Sequence, residues 1–160
     1  MKKMISLLFT LTMLLMGCAS DKIYREPPIV PTKTAIIHGF DHTLSAANWH
    51  NGKVTTVDGK NVIYSMFIID DYSYNISLIP GAHRFEIKTT FNQVPTFFST
   101  EGPYEATASV QAMIVAGHNY TLNGTIEGST VKLWVENSSG KAVSDVVTTA
   151  YKKSKASLVS

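Results

Sequence analysis

The residues that invite chemistry in this chain are five histidines, one cysteine and an adjacent pair of aspartates. His38, His42 and His50 fall within thirteen residues of one another, with Asp41 among them. Such a density suggests metal or small-ligand binding, and zinc would need three or four ligands converging at ~2.0–2.2 Å. A spacing of four, as between His38 and His42, puts two residues on one face only in a helix. The surrounding stretch reads as strand and then loop, so the spacing alone does not make His38, His42 and His50 converge. They stand as metal candidates against the simpler reading of polar rim residues. His83 and His118 sit beside turns, where an imidazole bonds backbone carbonyls. Asp70 and Asp71 would serve acid–base work only if both carboxylates met, yet adjacent strand residues point to opposite faces. The pair therefore reads as a turn. No calcium loop, phosphate-binding loop or nucleophile elbow is present. No catalytic residue and no cofactor are expected.

Aromatic side chains are the stronger candidates for contact with a partner. Trp49 lies in the first polar stretch, Phe97, Phe98 and Tyr104 in a proline-punctuated one, and Trp134 on the polar side of an alternating segment. Aromatics left exposed are enriched where proteins bind partners. The competing expectation for Phe97 and Phe98 is that they fold back and cap the core.

The lone cysteine belongs to a different chemistry. Lys2 and Lys3 precede an uncharged run, Met4 to Met16, of 13 residues. That run is too short for a ~30 Å hydrocarbon core and has the proportions of a secretory leader. It ends in Leu15-Met16-Gly17-Cys18, which resembles the lipobox of bacterial lipoproteins. The resemblance implies cleavage after Gly17 and acylation of Cys18. It also accounts for a single thiol in an oxidising compartment, where an unpaired cysteine is a liability. Several acyl chains give stable anchoring where one would not. Ala19, rather than aspartate, follows the cysteine, which by resemblance implies the outer membrane, facing the periplasm.

Residues 1–17 are thus expected to be a signal peptide, and 18–32 a lipidated cysteine with a tether made semi-extended by Pro27, Pro28 and Pro31. Residues 33–151 form one domain with a modest core, and 152–160 a basic, fraying tail. Without Lys2 and Lys3 the chain carries twelve basic and twelve acidic residues. No basic face stands out, so nucleic acid is not an expected partner.

After the leader, period-two alternation recurs and helical periodicity does not. Thr34 to Phe40 opens as a strand, and Phe40 to Asn51 reads as a loop. Asp58-Gly59 suits a tight hairpin. Val62 to Ile69 is almost wholly apolar and reads as a strand covered on both faces. Tyr74, Ile76 and Leu78 alternate with polar residues up to Pro80-Gly81, read as a type II turn closing a hairpin with Arg84 to Phe91. Asn92 to Glu105 reads as a long loop. Ala106 to Ile114, Tyr120 to Ile126 and Val131 to Val135 alternate cleanly, with a turn at Gly128-Ser129. Val143 to Thr148 is the expected last strand. Seven to nine short strands with close turns predict an all-β, antiparallel β-sandwich.

Val57-Asp58-Gly59, Pro80-Gly81-Ala82-His83 and Ala116 to Leu122 together resemble small envelope lipoproteins of proteobacteria. The first two pieces also look like the PEGA-type β-sandwich. The resemblance implies a non-catalytic binding or assembly accessory, held to the bilayer through Cys18. Its expected partner is an envelope protein or a cell-wall polymer.

Overall fold

The computed structural model describes residues 22–45, 47–64, 74–93 and 102–155. The leader with Cys18, most of the apolar run Val62–Ile69, Asp70, Asp71, Phe97 and Phe98 lie outside the described residues. The chain is an all-β sandwich. Its strands are β1 (Ala35–His38), β2 (Phe40–Ser45), β3 (Asn48–Val57), β4 (Lys60–Asn61), β5 (Ile76–Leu78), β6 (Gly81–Gln93), β7 (Tyr104–Ile114), β8 (Asn119–Glu127), β9 (Thr130–Asn137), β10 (Val147–Ala150) and β11 (Lys152–Lys153).

Among the described residues, one sheet has five strands in the order β10-β9-β8-β1-β5; the other has six, in the order β11-β7-β6-β3-β2 with β4 paired to β3. All pairings among these strands are antiparallel except β1 with β8, which is parallel. Alternation decides which side chains meet between the sheets. On β6 the buried residues are His83, Phe85, Ile87, Thr89 and Phe91, and on β7 Ala106, Ala108, Val110, Ala112 and Ile114. Ile37, Ile76, Leu78, Leu122, Leu133 and Val135 come to meet them from the five-stranded sheet. Each such side chain contributes about 1.5–3 kcal/mol on burial.

The Asp58-Gly59 turn is the tight hairpin expected, with φ of 51° and 77° at its two central residues; this left-handed pair matches the twist of the flanking strands. Other expectations are corrected. Phe40 to Asn51 is not a loop: β2 and β3 pair as a hairpin across it. Its polar residues belong to a sheet edge, so their polarity carries no loop signal. Pro80-Gly81 does not close a hairpin, because β5 lies in the five-stranded sheet and β6 in the other. Turn residues show where a chain bends and not which sheet it enters next. Residues 62–64 of the apolar run are outside any strand, and Ile63 is exposed.

Both ends of the domain are also tied down. From Lys22 the expected tether is laid on the body: Lys22 and Tyr24 exchange backbone bonds with Asn61 at 2.7 and 2.8 Å. The Tyr24 hydroxyl donates to the Ser77 carbonyl at 2.8 Å, while Glu26 accepts from the Ser77 amide at 2.9 Å. This strap covers the outer side of β5, which is why all three of its residues are buried. At the other terminus, Lys152 and Lys153 pair with Glu105 and Tyr104 as an edge strand, where the sequence suggested a fraying tail. The strand expected from Val143 is β10, which starts four residues later, at Val147, and is followed by β11.

Candidate functional site

The three clustered histidines are separated by the sheet crossing at Gly39. His38 lies on the five-stranded sheet, where its Nδ1 meets Asn75 Oδ1 at 2.7 Å. His42 and His50 face each other across the β2–β3 hairpin of the other sheet, with ring centroids 6.3 Å apart. Among the described residues, no three His, Cys, Asp or Glu side chains are grouped so as to hold a metal ion. His50 instead belongs to the core edge, only 9% exposed. Phe40 and Phe91 meet its ring edge-on at 4.8 and 5.6 Å. The Thr89 hydroxyl donates to the Asn51 carbonyl at 2.7 Å, so the 2.7 Å contact between that hydroxyl and His50 Nε2 must be donated by the ring. This fixes the Nε2–H tautomer. Burial, and secondarily His42, pushes the His50 pKa down to about 4.

Among the described residues, the aromatic candidates Trp49, Tyr104 and Trp134 do not converge either. Trp49 lies on β3 opposite Asn92 of β6, on the outer side of the six-stranded sheet. Trp134 lies on the outer side of the five-stranded sheet, so the two indoles face away from each other. Tyr104 is not a loop residue. It opens β7, half-buried, stacked on Phe91 at 5.7 Å and edge-on to Tyr151 at 5.1 Å. Its phenol body extends the hydrophobic core, because strand pairing with β6 and β11 draws it inward.

An Asp–His pair was not legible in the sequence. Asp58 and His83 are 25 residues apart, and only the approach of β6 to the β3–β4 turn joins them. Asp58 Oδ2 meets His83 Nδ1 at 2.7 Å, and the Ile79 carbonyl meets Nε2 at 2.9 Å. Asp58 Oδ1 accepts from the Arg84 amide at 2.9 Å. The pair therefore ties the hairpin turn to the crossover between sheets. It borders a cleft of about 270 Å³ lined by Tyr24, Arg25, Lys60 and Ile79. Partial burial pushes the Asp58 carboxyl up, but the Arg84 amide and the His83 ring outweigh it and hold the pKa below the usual carboxylate range. A depressed carboxylate stabilises the fold above its unfolded pKa and loses that contribution as pH falls. Asp58→Asn should therefore make the decline in stability below about pH 4 shallower. Urea midpoints measured from pH 5 to 3 check this; parallel curves for the two proteins would remove Asp58 from the account.

The most organised polar surface surrounds Trp134. Across the sheet, Trp134 of β9 is opposite Asn123 of β8, and Glu136 is opposite Thr121, whose other neighbour is His38 of β1. Glu136 Oε2 accepts from the indole Nε1 at 3.1 Å and from Asn123 Nδ2 at 3.0 Å. Asn123 Oδ1 in turn accepts from the Gly124 amide at 2.8 Å. The half-buried indole is thus held by a carboxylate that is itself held.

No known protein family, curated protein or solved structure matches this chain. An immobilised aromatic plane bordered by amide, carboxylate, hydroxyl and imidazole groups can stack on an apolar ring face and bond the hydroxyls around it. Among the described residues, no helix is long and apolar enough to cross a membrane.

Proposed function

We propose that this chain is a lipid-anchored accessory of the bacterial cell envelope that acts by binding, without catalysis. Cys18 carries the acyl anchor in the outer membrane, with the body in the periplasm. The partner is a cell-wall polymer, held on the outer face of the five-stranded sheet. The lipobox-like Leu15-Met16-Gly17-Cys18 supports the anchor, and the PEGA-like turn pieces support an accessory role. The observation that carries binding is the fixed Trp134–Glu136–Asn123 constellation. A polymer of sugars offers alternating C–H faces and hydroxyl rims. The first suits an indole and the second suits the flanking amide and carboxylate. Pre-fixing the side chains lowers the entropy lost on binding.

Co-sedimentation of the detergent-solubilised protein with purified cell-wall sacculi tests this reading. Trp134→Ala should weaken binding about tenfold or more, as truncation of an aromatic anchor does. Trp49→Ala, on the opposite face, should bind as the parent does. Equal sedimentation of the Trp134→Ala variant and the parent, or no sedimentation of the parent, would overturn the assignment.

A further inference from the structure

The exposed apolar side chains are unevenly distributed. Ile23, Ile29, Ile79, Met113 and Val115 are 46 to 65% exposed. All five sit at one end of the sandwich. Ile23 bridges to Asn61 beside the Asp58-Gly59 turn, and Ile79 lies at the crossover into β6. Gly81 at the start of β6 is opposite Ile114 at the end of β7, which places Met113 and Val115 there as well. Ile29 joins them beside Gly117 and His118 at the start of β8. Lys22, Lys33 and Lys60 are exposed at the same end. The nearby carboxylates, Asp58 and Glu26, accept hydrogen bonds from His83, the Arg84 amide and the Ser77 amide, and the three lysines outnumber them. The end is therefore apolar with a basic fringe.

The chain leading to Cys18 leaves the body at this same end. Lys22 is bonded to Asn61, and three residues, Ala19 to Asp21, separate it from Cys18. Four backbone steps reach at most about 15 Å. β6 alone has 13 residues, and strands of that length run about 40 Å. The leash is too short for the body to stand on its far end with Cys18 in the bilayer.

We propose that this end of the sandwich lies on the membrane surface, its isoleucines and Met113 seated among lipid headgroups and its lysines facing anionic lipid. The proposal rests on the acylation of Cys18 and adds an orientation to it. An apolar patch with a basic fringe is the pattern that binds an anionic interface. The wall-binding face around Trp134 then stands to the side of the membrane contact, with its strands running away from the bilayer.

Because acylation consumes the native thiol, a single introduced cysteine is a unique labelling position. The full-length lipoprotein would be reconstituted into vesicles containing anionic phospholipid, with a fluorophore at Ile79→Cys, Met113→Cys or Leu44→Cys. Leu44, 81% exposed in the β2–β3 hairpin, marks the far end. Quenching by lipid-borne nitroxide should be about fivefold stronger at positions 79 and 113 than at 44, and quenching by iodide correspondingly weaker, as for side chains seated at an interface. Equal iodide access at all three positions, with fatty acid confirmed on Cys18 by mass, would overturn the orientation alone. Shielding from iodide without quenching by lipid would mean that a protein covers this end, and would also overturn it. A mass showing no fatty acid on Cys18 would overturn the anchor as well.

Discussion

Acidification from pH 7 to 4 should remove about 3 kcal/mol of folding stability through one residue, His50. The folded chain keeps this ring neutral down to about pH 4, because it is buried and lies beside His42. In the unfolded chain it titrates near the ordinary value of about 6.5. Between those two values the unfolded state binds a proton that the folded state refuses. The contribution is therefore complete above the unfolded pKa and declines as pH falls toward the folded one. The cause is desolvation first and charge second. Phe40 and Phe91 close on the ring and keep water from it, and His42 lies beside it. Denaturant titrations at pH 7, 5.5 and 4 give the measurement. His50→Gln retains a donor for Thr89 without a titrating ring, and should flatten the curve over that window. A ring resonance for His50 that titrates near 6.5 in the folded protein would refute the account. Because the Asp58 contribution is lost at lower pH, the two are separable.

The second large effect concerns the ring of Phe40 and the glycine it covers. A Cβ on Gly52 would lie 2.2 Å from Phe40 Cε1 and 2.7 Å from Cζ. Phe40 cannot retreat freely, since a Cβ on Gly124 of the opposing sheet would already stand 3.3 Å from the same Cζ. Gly52→Ala should therefore cost about 2–3 kcal/mol as overpacking, despite being a small change. Phe40→Leu alone should cost roughly 1 kcal/mol as a size-reducing core substitution. Together they should lose less than the sum, because the shorter side chain makes room for the new methyl group. A double-mutant cycle by urea denaturation reads this coupling. If the costs add to within about 0.5 kcal/mol, the glycine is not there to receive the ring.

Much of the fold was legible because strand alternation is a local property. Phe85, Ile87 and Phe91, the alternating run from Ala106 to Ile114, and Leu133 with Val135 all face inward, as their spacing requires. Asp58-Gly59 and Gly128-Ser129 turn where short-range backbone preference demands. Polarity misled over Phe40 to Asn51, since an edge hairpin has few buried positions to reveal it. Pro80-Gly81 misled for a different reason. Bending there is a local matter, but the destination of the next strand depends on which sheet has a free edge. The clustered histidines show the same limit. His38 and His42 are four residues apart, yet Gly39 sends the chain from one sheet to the other between them. A Cβ on that glycine would approach the Gly52 carbonyl oxygen to 2.6 Å.

Sequence by itself determined the alternating β character and the tight turns at Asp58-Gly59 and Gly128-Ser129, since each depends on neighbours a few residues apart. Tertiary structure alone decided that His83 finds Asp58, that Glu136 and Asn123 immobilise Trp134, and that scattered isoleucines gather beside Lys22. Those meetings join residues brought together by strand register and sheet crossing, and no spacing along the chain encodes them.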